Sequence, residues 1–93
     1  MTGGKAVMAH VTGRVQGVGF REWTRQEATA LGLKGWVRNE ADGSVTALLV
    51  GPDAAVTTML ERLHHGPSYA RVAGVTSEPA TPVEQFHDFR ITR

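Results

Sequence analysis

The hydrophobic pattern of this chain switches repeatedly between the period of a strand and the period of a helix. Apolar and β-branched residues over 5–12 predict a first strand, and Gly13 follows it. From Phe20 onward, apolar or small side chains recur at steps of four, four and three, which describes one face of a helix. Gly32 stands where a left-handed residue would end that helix. The first third of the chain is therefore expected to be a strand, a glycine-rich connection and a helix.

The middle of the chain predicts a hairpin followed by a second helix. Two strand-like runs, 34–39 and 44–50, flank a connection that contains Asp-Gly, a typical hairpin signal, so these strands should be antiparallel neighbours. A helix opens at Gly51-Pro52-Asp53, near the position where the missing N–H of proline costs nothing. Gly66-Pro67 ends it. Its apolar stripe is the clearest in the chain and consists of Val56, Met59, Leu60 and Leu63.

The last third predicts two more strands, over 70–78 and over 85–92, the second with Phe89 and Ile91 on one face. The resulting order, β-α-β-β-α-β, is the split βαβ arrangement of ferredoxin-like folds. We therefore expect an α+β sandwich with two helices on one face of a four-stranded antiparallel sheet. The terminal segment would extend or complete one edge as a possible short extra strand. The whole chain, 1–93, is expected to form a single domain.

Composition narrows the classes of function. The net charge is +1, with acidic and basic residues interspersed, which argues against a general binder of nucleic acid or membrane surfaces. The chain has no cysteine, so it offers no disulfide framework, thiolate nucleophile or zinc–thiolate site. No apolar run approaches the roughly 20 residues of a membrane span, and the first residues lack the apolar core of a signal peptide. We expect a cytoplasmic protein, and a monomer.

The connection between the first strand and the first helix is the most informative stretch for function. Glycine has no Cβ, so the backbone can turn its N–H groups inward and form an anion-binding nest beside a helix N-terminus. The guanidinium of Arg21 can supply a fork that matches phosphate oxygens. The stretch favours a pocket for a small phosphorylated or carboxylated ligand, with a structural turn as the alternative. Its residues are Gly13, Arg14, Val15, Gln16, Gly17, Val18, Gly19, Phe20 and Arg21.

Two motifs of the chain resemble the signatures of the acylphosphatase family. The run from Gly13 to Arg21 is similar to the first signature, and Gly35-Trp36-Val37-Arg38-Asn39 is similar to the second. Further similar positions extend over nearly the whole chain: Gly43, Val45, Gly51, Gly66-Pro67, Ala70, Val72 and Phe89-Arg90-Ile91.

The resemblance implies hydrolysis of carboxyl–phosphate mixed anhydrides, small molecules such as 1,3-bisphosphoglycerate, acetyl phosphate or carbamoyl phosphate, without a metal or a cofactor. It further implies a phosphate cradle made by the backbone of 13–20 together with Arg21, and a water-positioning role for Asn39. The ferredoxin-like topology can bring the loop after the first strand close to the end of the second, which would unite these two residues.

The chemistry of an acyl phosphate suits these residue types. Phosphoryl transfer needs in-line geometry and stabilisation of charge on the equatorial oxygens, which an amide nest and Arg21 can supply. The amide of Asn39 can orient a water but is no strong base, so the water's proton goes to the substrate's own phosphate or is lost late. The leaving carboxylate needs no strong general acid. Phosphate monoesters, with far poorer leaving groups, are expected hardly to react.

Residues beside these motifs have more ordinary interpretations. His64-His65 lie where they complement the dipole of the second helix, and they lack the spaced partners of a metal site. Arg14 and Arg38 flank the proposed site as solvated arginines that could steer anions, and Trp36 could line an acyl pocket. Glu40 departs from the family pattern, since many relatives carry threonine there. Its carboxylate would mildly repel a bound phosphate and lower the rate.

Two alternatives belong to other classes of function. One is an anion- or acyl-phosphate-binding module with little turnover, of the kind that resembles the N-terminal part of the carbamoyltransferase of hydrogenase maturation. That enzyme's further segments carry zinc-finger-like cysteines, which this chain lacks. The other is an RNA-binding domain, which needs exposed stacking aromatics and a basic surface. Few aromatic residues and near-neutral charge disfavour it.

Overall fold

A computed structural model of the chain describes residues 4–82 and 85–92. Its element order confirms the predicted β-α-β-β-α-β sequence of strands and helices, followed by the short extra strand expected near the end of the chain. Within the described residues, no helix is both long enough and apolar enough to cross a membrane. The elements are β1 (Gly4–Arg14), α1 (Phe20–Ala30), β2 (Lys34–Asn39), β3 (Val45–Pro52), α2 (Asp53–Leu63), β4 (Arg71–Pro79) and β5 (Phe89–Ile91).

The strands form one sheet in the order β4-β1-β3-β2-β5. β1 pairs antiparallel with both β3 and β4, and β2 pairs antiparallel with β3, as the hairpin signal predicts. The terminal strand differs from the prediction, because β5 covers only Phe89–Ile91 and runs parallel to β2. β4 and β2 run in opposite directions. A strand that follows β4 after a reversal of the chain, and that pairs with β2, therefore runs parallel to β2. The sheet is therefore mixed and five-stranded rather than four-stranded and antiparallel.

One hydrophobic core lies between the sheet and its two helices. α1 contacts β2 and β5, whereas α2 contacts β1 and β3. Inward-facing strand residues alternate with outward-facing ones, and three of the four predicted α2 stripe residues are fully buried while Leu60 is partly buried. Burial of each of the three fully buried α2 side chains contributes about 1.5–3 kcal/mol to the stability of the fold. The main inward residues are Val7, Ala9, Val11, Val37, Val45, Ala47 and Leu49 from the strands and Phe20, Ala28, Val56, Met59 and Leu63 from the helices.

An irregularity at the end of β1 turns the chain out of the sheet. The pairing of β1 with β4 shifts register between Thr12 and Gly13, as in a β-bulge. Gly13 has φ +119°, and a Cβ there would lie 2.2 Å from the carbonyl oxygen of Arg71. Only glycine therefore lets β4 approach so closely while the chain bends toward α1. At the other end of α1, Gly32 has φ +75° and ends the helix as predicted.

Candidate active site

The loop 15–19 delivers backbone N–H groups to the start of α1. Gly17 and Gly19 have φ of +75° and +79°, a left-handed conformation that residues with a Cβ rarely adopt. Gly19 is the N-cap residue of α1, and within the described chain no side chain caps this helix end. The first amide groups of α1 therefore keep their hydrogens for another acceptor, beside the positive end of the helix dipole.

A cavity of about 220 Å³ opens at this loop. Both Arg21, on the first turn of α1, and Asn39, the last residue of β2, line it. The topology thus unites the two side chains that the sequence singles out from different elements. The cavity is lined by Val15, Gly17, Gly19, Phe20, Arg21, Glu22, Asn39 and Ile91.

The other predicted loop residues do not line this cavity. Gly13 belongs to the bulge of β1, where it serves the contact with β4. Arg14, Gln16 and Val18 line a second cavity, and Gly17 lines both. The nine-residue stretch therefore divides into a structural glycine, five residues that line the cavity of Asn39, and three residues that line the second cavity.

Arg21 is half-buried and keeps its donors free. Among the described residues, its guanidinium takes part in no ion pair or side-chain hydrogen bond. Its neighbour Glu22 also lines the cavity, but Arg25 binds that carboxylate, with Nε 3.1 Å from Oε1. The hydrogen bond from Arg25 lowers the pKa of Glu22 below its ordinary value. The cavity thus presents one unpaired guanidinium and one carboxylate that is already partnered.

Asn39 has an unusual environment for an amide. Its Oδ1 is buried and accepts no hydrogen bond from any residue in the described part of the chain. A buried acceptor without a partner costs about 1–3 kcal/mol of stability. A water molecule that donates an O–H to this oxygen would remove that cost.

The turn after Asn39 is fixed by several hydrogen bonds. The amide of Glu40 donates to the carbonyl of Ser44 at 2.8 Å. Asp42 accepts from the backbone N–H of Ser44 at 3.0 Å and from its hydroxyl at 2.6 Å, and these bonds lower the pKa of Asp42. From the loop side, Gln16 Nε2 donates to the carbonyls of Glu40 and Ser44. Sequence reasoning assigned Gln16 only a backbone role, because nothing local to it points to a partner so far along the chain.

Glu40 is turned away from the cavity. Its Oε2 accepts from Nε of Arg38 at 2.9 Å, and this hydrogen bond is the main cause of its lowered pKa. Arg38 in turn lies over the ring of Trp36, 4.6 Å from the centroid. Because Val37 faces the core, Arg38 and Trp36 lie on the opposite face of the sheet. The expected repulsion of phosphate by Glu40 and the acyl-pocket role of Trp36 therefore gain no support from the geometry.

Ile91 is a cavity residue that sequence reasoning missed. β5 pairs in parallel with β2, and Ile91 stands in register with Val37, two residues before Asn39. Its side chain is 38% exposed and lines the cavity. The sequence placed it on one strand face with Phe89 and among the positions similar to the family. It gave Ile91 no place in the site, because the pairing of β5 with β2 has no local signal.

Two histidines and a tryptophan outside this cavity make structural contacts. His10 Nδ1 lies 3.2 Å from the hydroxyl oxygen of Thr46, and His64 Nδ1 lies 3.0 Å from the carbonyl oxygen of Leu60. Trp23 packs against Phe20, with ring centroids 5.4 Å apart. His10, His64 and Trp23 therefore make structural contacts and do not line the cavity of Asn39.

Comparison with known proteins places this geometry in a family. A family model described as Acylphosphatase matches residues 7–91. The acylphosphatase of Sinorhizobium medicae (strain WSM419) is 61% identical over 89 residues, which cover 96% of this chain and 95% of that protein. The structure of an acylphosphatase from Coxiella burnetii matches with a TM-score of 0.91 at 37% identity, covering 97% of this chain and 94% of the other.

A larger protein contains a similar unit. The structure of HypF from T. kodakarensis matches with a TM-score of 0.86 at 28% identity, covering 96% of this chain but only 12% of that one. The much higher identity lies with proteins of nearly the same length as this chain. With its residues 7–91 matched by the family model, the chain belongs to the acylphosphatase family.

Proposed function

We propose that this chain hydrolyses acyl phosphates in the cavity shared by Arg21 and Asn39, with the phosphate held by the loop and Arg21 and the attacking water held by Asn39. The reaction, cleavage of a carboxyl–phosphate anhydride to a carboxylate and inorganic phosphate, follows from family membership and from relatives about 60% identical that bear the name acylphosphatase. The chain is thus a hydrolase of acid anhydrides, and its substrate is a small-molecule acyl phosphate.

The observation that carries the residue roles is the pairing of two unsatisfied groups in one small cavity. Among the described residues, the guanidinium of Arg21 has no ion-pair partner and the buried Oδ1 of Asn39 has no hydrogen-bond partner, and both side chains line the same cavity. Groups left in this condition are typical of a site completed by its ligand rather than by the protein.

The phosphate would be bound by charge and by backbone amides together. The uncapped N-terminus of α1 and the left-handed residues Gly17 and Gly19 supply N–H donors and the positive end of a helix dipole. Arg21 supplies a planar fork for two of the phosphate oxygens. These donors stabilise negative charge on the equatorial oxygens, which is the main requirement of phosphoryl transfer.

The nucleophile would be a water that donates a hydrogen bond to Oδ1 of Asn39. Its lone pair attacks phosphorus as the bond from phosphorus to the acyl oxygen breaks, and the carboxylate leaves on the opposite side. Glu22 is the one carboxylate among the lining residues, and its pKa is lowered by Arg25, so it is a poor base. The water's proton is therefore best transferred to a phosphate oxygen of the substrate. The leaving carboxylate is a weak base and needs no proton.

The decisive experiment is hydrolysis of benzoyl phosphate by the wild type and by Asn39→Ala, with EDTA present and a phosphate monoester as a second substrate. We expect rapid wild-type hydrolysis of the acyl phosphate, little of the monoester, and a loss of kcat in the variant that exceeds any change in KM. Gln85→Ala removes an exposed amide outside the cavity and serves as the matched control.

The stability of Asn39→Ala separates a catalytic from a structural role. Because the oxygen that is removed has no partner among the described residues, the thermal midpoint should stay unchanged or rise. A folded wild type that binds inorganic phosphate without turning over benzoyl phosphate would instead support the binding-module alternative. A pure loss of affinity in the variant would contradict the assignment of the water to Asn39.

A single domain over 1–93, a monomeric state and a cytoplasmic location complete the proposal. One hydrophobic cluster draws on both helices and on β1, β2, β3 and β5, which supports a single domain. Among the described residues, the exposed large hydrophobics are Tyr69 and Ile91, and the latter belongs to the cavity wall. Such a surface has no broad apolar face for self-association. Light scattering on the purified protein tests the monomer, and cell fractionation tests the location.

A further inference from the structure

Ile91 presents an apolar side chain to the proposed active-site cavity. Two further apolar residues line this cavity, Val15 and Phe20, but each is only 1% exposed because it belongs to the core. Ile91 is 38% exposed, and Tyr69 is the only other exposed large hydrophobic residue in the part of the chain that the structure describes. Covering an exposed apolar side chain in a concave site lowers the free energy of a complex. Ile91 is therefore the apolar surface that a ligand in this cavity can cover.

The backbone on both sides of Ile91 holds its side chain in place. Phe89, two residues earlier on the same face of β5, is 5% exposed and belongs to the core. Ile91 is in register with Val37 in the parallel pairing of β5 with β2, and the N–H of Thr92 donates to the carbonyl of Val37 at 2.9 Å. A β-branched side chain also has few rotamers. The apolar surface is therefore preorganised, and a ligand that binds it loses little free energy in ordering the protein.

Among the described residues that line the cavity, the other exposed side chain belongs to Glu22. Arg25 donates to its carboxylate, with Nε 3.1 Å from Oε1. An acyl group that covered this carboxylate would remove a charge from water, which costs free energy, whereas an acyl group that covers Ile91 gains free energy. The phosphate is assigned to the loop and Arg21, and the water to Asn39. The carbon part of the substrate is therefore best placed against Ile91.

We propose that Ile91 is a specificity-determining residue that contacts the acyl group, and that it makes the enzyme favour apolar acyl groups over polar ones of the same size. This inference rests on the proposed function and adds to it a selection among substrates. The contact is made by the carbon part of the substrate and not by the reacting atoms, so it is equally strong in the ground state and in the transition state. It should therefore lower KM and leave kcat unchanged.

The test compares two substrates that differ in one ring atom. They are cyclohexanecarbonyl phosphate and oxane-4-carbonyl phosphate, in which an ether oxygen replaces the CH₂ group opposite the carboxyl carbon. The two rings have nearly the same shape, so they differ in polarity and not in size. We expect the wild type to have a kcat/KM about threefold higher for the carbocycle, close to the factor that burial of one CH₂ group contributes. Acetyl phosphate is the third substrate, because its single methyl group covers less of Ile91.

Variants test whether the preference depends on Ile91. Ile91→Ala should raise KM for cyclohexanecarbonyl phosphate by about fivefold while kcat stays within about twofold, and the ratio of kcat/KM between the two ring substrates should fall toward one. Ile91→Val keeps most of the apolar surface and should retain most of the ratio. Comparing ratios between variants cancels the intrinsic reactivity of each substrate. Tyr69→Ala is the matched control, because it removes the other exposed large hydrophobic side chain, which lines the second cavity, and it should leave the ratio unchanged.

The outcomes separate this inference from the proposed function. If Ile91→Ala leaves the ratio unchanged, or if Tyr69→Ala lowers it as much, the acyl contact is overturned and the acylphosphatase mechanism stays intact. An equal loss of kcat/KM for both ring substrates and acetyl phosphate would overturn it too, since such a loss means that Ile91 only supports the position of β5. If the folded wild type hydrolyses neither these three substrates nor benzoyl phosphate, the proposed function fails, and the role of Ile91 fails with it.

Discussion

Gln16 and Glu40 are joined by a hydrogen bond across 24 residues of sequence, with Gln16 Nε2 donating to the carbonyl oxygen of Glu40 at 2.8 Å. The same nitrogen donates to the carbonyl oxygen of Ser44 at 2.9 Å. One side chain thus links the loop proposed to bind phosphate to the turn that directly follows Asn39. The positions of the two halves of the site are therefore set relative to each other by a residue that lines neither Asn39's cavity nor the core.

Replacing Gln16 with methionine should affect turnover more than stability. Both carbonyls keep a backbone donor, since Gly43 N–H donates to Glu40 and Glu40 N–H donates to Ser44. The free energy of unfolding should therefore fall by only about 1 kcal/mol. The loop and Asn39 lose their fixed spacing, and kcat should fall by about tenfold or more, because misplacement by about 1 Å is costly in catalysis.

Urea unfolding measures the loss of stability, and steady-state kinetics on benzoyl phosphate measure the loss of kcat. Gln85→Met is the control for loss of an amide elsewhere. An unchanged kcat in a variant destabilised by several kcal/mol would assign Gln16 a purely structural role.

Arg21→Ala should inactivate the enzyme without unfolding it. Arg21 is the one arginine that lines the cavity of Asn39, and it has no ion-pair partner among the described residues, so its removal deletes no native contact of that kind. By analogy with the loss of a preorganised oxyanion donor, the loss of transition-state stabilisation should be on the order of 3 kcal/mol, or about a hundredfold in kcat/KM.

Arg62→Ala, on α2, serves as the control for loss of an arginine elsewhere. That variant breaks the Arg62–Glu27 ion pair but touches neither cavity. Full activity of Arg21→Ala on benzoyl phosphate would refute the proposed role of the guanidinium.

Local patterns were sufficient to predict most of this fold. The helix faces, Gly32 as the end of α1 and the hairpin turn all depend on neighbours within a few residues, and the structure confirms them. The terminal strand was predicted over 85–92, whereas β5 covers only Phe89–Ile91. Its parallel pairing depends on the path of the chain between two sheet edges, which no short window of sequence contains.

The same distinction explains what the sequence predicted of the candidate site. Arg21 and Asn39 lie in motifs whose residue types suggest their chemistry, and the topology brings them to one cavity. Three features arise from contacts between distant segments: the partners of Gln16, the position of Ile91 and the pairing of Glu40 with Arg38. Glu40 was expected to weaken phosphate binding because its charge was evident from the sequence, while the rotamer that turns it toward Arg38 was not.

The ion pair of Glu40 with Arg38 should make a contribution to stability that depends on pH. The hydrogen bond from Arg38 lowers the pKa of Glu40 below its ordinary value of 4.5. A carboxyl group with a lowered pKa in the folded state contributes stability above its ordinary pKa and loses that contribution as the pH falls through the lowered one. The difference in unfolding free energy between wild type and Glu40→Gln should therefore be largest at neutral pH and shrink in acid.

Denaturant titrations of the wild type, Glu40→Gln, Arg38→Gln and the double variant measure this coupling. In the Arg38→Gln background, the pH-dependent difference should become smaller but not vanish, because Thr46 also lowers the pKa of Glu40. Salt should weaken the difference in the wild type. A difference that is independent of pH would contradict the ion pair as its source. Because Glu40 is turned away from the cavity, Glu40→Thr should leave kcat on benzoyl phosphate within about twofold of the wild type.

Three glycine-to-alanine variants should separate the structural glycine of the loop from the glycine of the cradle. At Gly13, a Cβ would lie 2.2 Å from a backbone oxygen and 2.5 Å from a backbone nitrogen of β4, so this variant should lose about 3 kcal/mol or more of stability. At Gly17, φ is +75° and no atom lies within 4 Å of the added methyl, so the loss should be about 1 kcal/mol.

Gly32 is the matched control for Gly17, because it has the same φ of +75° and equally open space but lies at the far end of α1. Gly17→Ala and Gly32→Ala should therefore be destabilised equally in urea. Only Gly17→Ala places its methyl group on the wall shared by the two cavities, so only this variant should show a raised KM for benzoyl phosphate. Equal kinetics for the two variants would mean that the substrate does not contact Gly17, and the phosphate cradle would have to lie elsewhere.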